Sequence, residues 1–132
     1  KVVERWDTDC IHACDLVLVA SGTATLECAL LERPMVILYK TSWPTYFLSR
    51  LLIRIPRIGL VNIVAGRKVV PELIQREANP ARIAREALAI YNDAQRRQEM
   101  KDSFSAIRKS LGEPGAAERA AQAILAELAQ VR

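Results

Sequence analysis

The sequence predicts an α/β fold, with a parallel sheet flanked by helices and an all-helical tail. Short continuous apolar runs alternate with helical patterns along the first two thirds of the chain. After about residue 91, only helical patterns remain. The 132 residues, 51% of them hydrophobic, suit one domain with a sizeable core. We therefore predict a single, partial domain over 1–132, with an α/β part at 1–91 and C-terminal helices at 92–132.

The predicted strands are short apolar runs. Residues 16–20 and 35–39 are continuous runs, as expected of strands covered on both faces of a sheet. Between them, residues 23–31 have a helical pattern, with Leu26 and Leu30 on one face. Residues 59–63 are predicted as a third strand, and residues 2–3 as the stub of another.

The remaining elements are predicted as helices. A short helix covers 9–13, capped by Asp7 or Thr8. Residues 44–55 carry an apolar stripe at helical spacing. Pro71 suits the first position of a helix over 71–77, and Asn79-Pro80 begins another that extends to about residue 91. Two helices follow, over 94–111 and 116–128, separated by "GEPG".

Composition excludes several classes of protein. The net charge of +4 fits an anionic ligand or an anionic membrane surface as well as it fits nucleic acid. No nucleic-acid-reading motif is present, so we expect no nucleic-acid partner. No apolar run is long enough to span a membrane. The opening "KVVERWDTD" resembles the middle of a protein rather than a signal peptide, so we expect a fragment of a longer, cytoplasmic protein.

The three cysteines indicate reduced thiols, because an odd number without an export signal is typical of the cytosol. In "CIHAC", Cys10 and Cys14 would share a helix face from which His12 points away, and no second pair of ligands follows. We therefore predict that Cys10, Cys14 and Cys28 are ordinary buried or half-buried thiols. We predict neither a zinc site nor a site for another metal.

A hydroxyl–glycine corner is the main candidate site. Ser21, Gly22 and Thr23 lie where the first strand passes into a helix, at the carboxyl end of the strand, where open parallel sheets bind ligands. Free backbone N–H groups at a helix start favour an anion, and Gly22 lets a phosphate approach closely. Glu27 could accept hydrogen bonds from sugar hydroxyls. The alternative is that Ser21 is only a helix cap and Glu27 a solvated acid. The corner is neither a Walker loop nor a GxGxxG motif.

Longer motifs give a family resemblance. The strings "CDLVLVASGTATLECALLERPMVILYK", "TYFLSRLLIRIP", "VNIVAGRKVVPELIQ" and "LGEPGAAERAAQAIL" resemble, in order and spacing, those of lipid-A-disaccharide synthases. The resemblance extends from about residue 9 to residue 128. It implies a GT-B glycosyltransferase, with two Rossmann-like domains facing a cleft. This chain would be most of the C-terminal domain, which binds the UDP donor.

The resemblance also implies the reaction. The family transfers 2,3-diacylglucosamine from its UDP carrier to 2,3-diacylglucosamine 1-phosphate, giving lipid A disaccharide 1-phosphate and UDP. The mechanism would be direct displacement with inversion at the anomeric carbon. Because no metal-binding cluster is visible in the sequence, we predict no metal, and we expect no cofactor. The catalytic base is expected in an N-terminal domain outside this chain. Because both walls of the cleft are needed to position the substrates, this piece alone should be inactive.

Eight residues match the family's substrate-binding motifs. The Ser21-Gly22-Thr23 corner would face the diphosphate, Glu27 would hold the ribose hydroxyls, and Asn62 would line the active cleft. Further motif positions of undefined role are Arg67, Glu72 and Gln75. From the residues alone, Asn62 is a turn residue, Arg67 a solvated charge and Glu72 a partner of a helix dipole. Val61 departs from the family, which usually has proline there, and this leaves the geometry of the local loop open.

Two other functions are compatible with parts of the sequence. An enzyme of the UDP-N-acetylglucosamine 2-epimerase type shares a serine–glycine–glutamate corner, but "AGRKVVPELIQ" argues against it. A non-catalytic nucleotide-binding or oligomerisation module is the second, and an oligomer is compatible with the sequence. The stripe over 43–57 fits either core packing or, through Arg50, Arg54 and Arg57, peripheral contact with the inner face of the cytoplasmic membrane.

Overall fold

The computed structural model describes residues 8–52, 57–112 and 115–130. Its three strands are β1 (Val17–Ala20), β2 (Met35–Tyr39) and β3 (Glu72–Ile74). A 3-10 turn, Gln75–Glu77, follows β3 directly. The helices are α1 (Thr8–His12), α2 (Ala24–Leu30), α3 (Trp43–Leu52), α4 (Leu60–Val64), α5 (Pro80–Tyr91), α6 (Ala94–Leu111) and α7 (Ala116–Gln130).

The sheet is parallel, with the order β1-β2-β3. Val17 pairs with Met35, and Ile37 pairs with Glu72. Because parallel strands end on the same side, the segments that follow β1, β2 and β3 meet at one edge of the sheet. The predicted α/β fold, with a parallel sheet flanked by helices and a helical C-terminal part, is confirmed.

The core surrounds β2. Met35, Val36 and Ile37 are consecutive and fully buried, and since side chains alternate along a strand, both faces of β2 are covered, as predicted. Helix α6 packs against α2 and α5, and its Phe104 is fully buried in the same core cluster as the sheet. The division at 91/92 remains a prediction.

Strand β1 differs from its prediction as a strand covered on both faces. Val19 is buried, but its neighbour Leu18 is 49% exposed. Because successive side chains point to opposite faces of a strand, the face of β1 that carries Val19 is packed, whereas the face that carries Leu18 is left largely uncovered by the described residues.

Two predicted elements are wrong. Residues 59–63 were expected to be a strand, but the helix α4 covers most of that stretch, starting after Gly59. Residues 71–77 were expected to be a helix, but they form β3 and the 3-10 turn. Pairing decides the second case, because the Ile37 N–H donates to the Pro71 carbonyl at 2.9 Å and Leu73 pairs with Leu38. Tertiary contacts thus override the local signal of a proline at a helix start.

Several predictions concern residues or side chains outside the part of the chain that the structure describes. These are the strand stub at 2–3, the cap at Asp7, the last part (53–55) of the helix predicted over 44–55, Arg54, and the side chain of Arg50. Along α3, Phe47 and Leu48 are exposed, so the core interpretation of the stripe fails for these two residues. In α7, every side chain over 116–128 is exposed. Within the described ranges, no helix is both long and apolar enough to cross a membrane.

Candidate functional site

The corner between β1 and α2 is open. Gly22 has a φ of 157°, where residues with a Cβ rarely lie, and an added Cβ would meet nothing within 4 Å. Its carbonyl accepts the Thr25 hydroxyl at 2.8 Å, which holds the start of α2. The glycine therefore fixes a backbone conformation while leaving space in front of the corner.

Four hydrogen-bond donors at this corner are unused by the described residues. The backbone N–H groups of Gly22, Thr23 and Ala24 meet no acceptor there, and the Thr23 hydroxyl makes no capping bond. Thr23, not Ser21, occupies the cap position of α2. The alternative that Ser21 caps the helix is therefore not observed. Donors grouped in an open corner can hold an anion.

Ser21 instead joins the corner to β3. Its hydroxyl donates to the Ile58 carbonyl at 3.1 Å, and the Ile58 N–H donates to Glu72 Oε2 at 3.0 Å. Glu72 Oε1 also accepts from the Gly59 N–H at 3.0 Å. A Cβ on Gly59 would lie 2.2 Å from Ile37 Cδ1, so this loop approaches the sheet as closely as glycine allows. The carboxylate of Glu72 thus fixes the loop that receives the Ser21 hydroxyl.

Asn62 is fully buried, and its amide is satisfied within the protein. Its Nδ2 donates to the Val70 carbonyl at 2.9 Å and to Glu72 Oε1 at 2.8 Å. Its Oδ1 accepts from the N–H groups of Val69 and Val70, at 2.8 and 3.0 Å. With two donors and one carbonyl oxygen occupied, Asn62 ties α4 to the segment before β3.

Val61, where the family usually has proline, lies in the first turn of α4. Its N–H has no acceptor among the described residues. A proline would lose no hydrogen bond at this position, because the first turn of a helix leaves such N–H groups unpaired. The departure from the family pattern is therefore compatible with the same loop geometry.

Gln75 fastens the ends of two strands. It has a positive φ of 51°, and its side chain is almost wholly buried. Its Oε1 accepts the Thr41 N–H at 2.8 Å, and its Nε2 donates to the Thr41 carbonyl at 2.9 Å. A left-handed conformation in a residue other than glycine is costly and requires such support. The two bonds hold the segment after β2 against the turn after β3.

Arg67 lies in a different place from the corner. Its Nη2 donates to Ser103 Oγ on α6 at 2.8 Å, and it lines a cavity of about 770 Å³ beside α5 and α6. That cavity carries both signs of charge, including the ion pairs Arg82–Glu77 and Arg96–Glu86. The structure thus connects Ser21, Glu72 and Asn62 by hydrogen bonds, whereas Arg67 shares only the lining of this cavity with Glu72.

A second cavity was missed by the sequence analysis. It measures about 260 Å³ and lies at the carboxyl ends of β2 and β3. Its polar and aromatic lining residues are Lys40, Thr41, Trp43, Gln75, Arg76 and Asn79. The Arg76 guanidinium lies 5.2 Å from the centroid of the Trp43 ring, a cation–π contact. The position of Lys40 directly after a strand was the signal available in the sequence.

The thiols differ in exposure. Cys10 and Cys14 are exposed, against the prediction, and only Cys28 is buried. Burial raises the pKa of the Cys28 thiol to about 11, with smaller contributions from the charges of Glu27 and Cys14. Among the described residues, no three His, Cys, Asp or Glu side chains are grouped to hold a metal ion.

Comparison with known proteins gives the family. The sequence model of a family described as lipid-A-disaccharide synthetase matches residues 2–127. The chain belongs to the lipid-A-disaccharide synthase family. The resemblance found in the sequence motifs is therefore confirmed.

Individual members of this family also resemble the chain in sequence. The chain is 54% identical to the lipid-A-disaccharide synthase of Syntrophus aciditrophicus over 113 residues, which are 86% of the chain and 30% of that protein. It is 44% identical to that of Anaeromyxobacter dehalogenans, over 95% of the chain and 33% of that protein. For Nitrosococcus oceani the identity is 47%, over 85% of the chain and 29% of that protein. The chain thus spans about a third of the length of the lipid-A-disaccharide synthases that it matches.

Proposed function

We propose that the full-length protein transfers 2,3-diacylglucosamine from UDP to 2,3-diacylglucosamine 1-phosphate. The products would be lipid A disaccharide 1-phosphate and UDP. The family match over residues 2–127 is the observation that carries this proposal. This chain would supply the UDP-donor side of a GT-B cleft, and a base from the rest of the protein would activate the acceptor's 6-hydroxyl.

The open corner would bind the donor's diphosphate. The N–H groups of residues 22–24 and the Thr23 hydroxyl are available to anionic oxygens, and they would stabilise the charge of the departing UDP. Glu27, exposed on α2 one turn beyond the corner, would accept hydrogen bonds from the ribose hydroxyls. In this proposal, Ser21, Gly22, Thr23 and Glu27 form the donor side of the site.

The other matched residues would act by positioning. Because Asn62, Glu72 and Gln75 use their polar groups inside the protein, we assign them to fixing the loops around the cleft. Ser21 belongs partly to this group, since its hydroxyl proton is directed to Ile58. Arg67 would fix the loop after α4 against α6 through Ser103.

The α3 surface would rest on the membrane that contains the acylated substrates. Trp43, Phe47 and Leu48 are 45%, 65% and 58% exposed and lie on one short helix. An aromatic and aliphatic surface of this kind suits the headgroup boundary of an anionic bilayer. The location proposed is therefore cytoplasmic, peripheral on the inner face of the cytoplasmic membrane.

A product assay tests the proposed reaction. Purified full-length protein, given both substrates in detergent micelles, should form the disaccharide and release UDP in equal amounts. UDP release should require the acceptor. Formation of an epimerised sugar from the UDP donor, or release of UDP without the acceptor, would contradict the proposal.

A further inference from the structure

Among the described residues, Lys40 and Arg76 are the only charged side chains that line the smaller cavity. No carboxylate lines it among the described residues, whereas the larger cavity beside α5 and α6 is lined by five. Neither the Lys40 ammonium nor the Arg76 guanidinium has an ion-pair partner in the described part of the chain. Two cations around 260 Å³ of space favour an anion of the size of a phosphate group.

The walls of this cavity are held in place. Gln75, with its positive φ, makes two hydrogen bonds to the backbone of Thr41, so both sides of the cavity are fastened together. Arg76 follows Gln75 directly, and its guanidinium lies over the Trp43 ring. An arginine placed on an aromatic ring loses less conformational freedom when it binds an anion. Residues held in costly backbone conformations, such as Gln75, cluster at ligand-binding and active sites.

The cavity is offset from the diphosphate corner. The corner follows β1, and the cavity lies at the ends of β2 and β3. Neighbouring strands are spaced about 4.8 Å apart, so the ends of β2 and β3 lie roughly 5 and 10 Å from the end of β1. This offset leaves room for a sugar between two phosphate groups on the same edge of the sheet.

We propose that Lys40 and Arg76 bind the phosphate of the acylated acceptor. The inference rests on the proposed function and adds a second anion site to this chain. The acceptor is a phosphomonoester that also carries acyl chains. The exposed Phe47 and Leu48 lie one turn beyond Trp43 on α3, so an apolar surface continues from the cationic cavity. The site thus matches both parts of an amphiphilic phosphate.

A comparison of two acceptors tests this assignment in the full-length enzyme. Lys40→Gln/Arg76→Gln should raise the KM for 2,3-diacylglucosamine 1-phosphate about ten-fold, as expected for lost hydrogen bonds to a charged group. The KM for the donor and the affinity for UDP should change less than about two-fold. The control Arg85→Gln/Lys109→Gln removes the same charge from exposed positions on α5 and α6 and should leave all these values unchanged.

Removing the phosphate from the acceptor makes the test specific. 2,3-Diacylglucosamine without the phosphate should be a much poorer acceptor for the parent enzyme, as measured by the loss in kcat/KM. The same loss in kcat/KM should be about ten-fold smaller for Lys40→Gln/Arg76→Gln. Equal penalties in parent and variant would overturn the inference, because a merely structural role would not distinguish the two acceptors.

Two further outcomes separate the alternatives. If the variant loses binding to phosphatidylglycerol vesicles while its acceptor KM in micelles is unchanged, the cations meet lipid headgroups and the inference fails. If the parent makes no disaccharide at all, the proposed function fails. The site is then tested by adding glucosamine 1-phosphate and following the Trp43 indole NMR signal, which should shift in the parent and not in the variant. No shift in the parent would overturn the site as well.

Discussion

Polar side chains around the corner fall into two groups, according to whether their hydrogen bonds are already made. Asn62 and Gln75 are buried and use both ends of their amides inside the protein. The Thr23 hydroxyl and the neighbouring backbone N–H groups meet no acceptor among the described residues. Substitutions in the first group should therefore act on stability, and those in the second on ligand affinity.

Glu27→Gln should weaken use of the UDP donor in the full-length enzyme. The amide keeps the size of the side chain but is a weaker acceptor for two sugar hydroxyls, so we expect a donor KM about ten-fold higher. The free energy of unfolding should change by less than about 0.5 kcal/mol, because the residue is exposed. Steady-state kinetics with Glu118→Gln on α7 as a control would check this, and unchanged donor kinetics would return Glu27 to a solvated acid.

Asn62→Asp should destabilise the protein in a pH-dependent way. A carboxylate keeps the acceptor for Val69 and Val70 but loses the donor to Glu72 and places two acids within hydrogen-bond distance. Like charges raise the pKa of the pair in the folded state, so the folded form binds protons more tightly. The loss in melting temperature should therefore shrink as the pH falls from 7 toward 4.

The matched control is Asn62→Ala. It leaves the same backbone groups and Glu72 without their partner, at a cost of about 3 kcal/mol or more, without introducing a second acid. The loss in melting temperature of Asn62→Ala should thus depend less on pH. Equal pH dependence of the two variants, measured by thermal unfolding, would contradict the proximity of positions 62 and 72.

Cys28 should react with iodoacetamide far more slowly than Cys10 and Cys14. With a pKa of about 11, its thiolate fraction at pH 8 is about a hundred-fold below that of an ordinary thiol. Since the Cys28 thiol has a lower pKa in the unfolded chain, it ionises there first. The free energy of unfolding should therefore decrease as the pH rises from about 9 toward 11. Peptide mass spectrometry after timed alkylation measures the rates, and equal labelling of the three thiols would contradict the burial of Cys28.

At the scale of elements, the conformation of short apolar segments depends on the residues that contact them. The segment that forms β3 is held by pairing with β2, and α4 by the Glu72 carboxylate at its start. Helix α3 differs, because its aromatic residues form a cluster that is partly exposed to solvent. Trp43, Tyr46 and Phe47 have ring centroids about 6 Å apart, with Phe47 largely exposed.

Phe47→Ser/Leu48→Ser should weaken membrane binding of the full-length protein. Removing two exposed apolar side chains from an interfacial helix should reduce partitioning onto phosphatidylglycerol vesicles about ten-fold or more. Stability should change little, since neither side chain is buried. Vesicle co-sedimentation at low salt tests this, with Leu88→Ser, exposed on α5, as the control. A parallel variant with Arg50, Arg54 and Arg57 changed to Gln tests the electrostatic part, and equal binding by all variants would remove α3 from the membrane contact.

At the scale of the whole molecule, the chain presents one wall of a proposed cleft. The ends of all three described strands lie on that wall, and they carry both the Ser21-Gly22-Thr23 corner and the Lys40/Arg76 cavity. Catalysis between two bound substrates requires a second wall to position the reacting groups. This chain, which spans about 30% of the length of a matched relative, should therefore bind UDP without forming the disaccharide.

UDP titrated into this chain should shift the amide signals of Gly22 and Thr23 before those of α6 and α7. Binding should be weak, with a Kd in the millimolar range that corresponds to about 4 kcal/mol, because this chain would supply only one wall of the proposed cleft. No disaccharide should form when both substrates are added. Heteronuclear NMR measures the shifts, and changes confined to α6 and α7 would contradict the assignment of the corner.

Much of the fold follows from local sequence. The runs that form β1 and β2 and the helices α5 and α6 have strong signals, because a long periodic pattern or a capping Asn79 specifies them without reference to distant residues. The corner was predicted for the same reason, since a strand, a glycine and a helix are consecutive in sequence. The family also follows from sequence, through motifs spread over nearly the whole chain.

Only the tertiary structure decided how the motif residues are used. The amide of Asn62 and the carboxylate of Glu72 could each have faced solvent, and contacts with residues distant in the chain turned them inward. The Lys40/Arg76 cavity likewise required β2 and β3 to pair, because its two cations lie on segments 36 residues apart. Short segments such as those of α4 and β3 have too few residues for a clear period, so long-range hydrogen bonds determined their conformation.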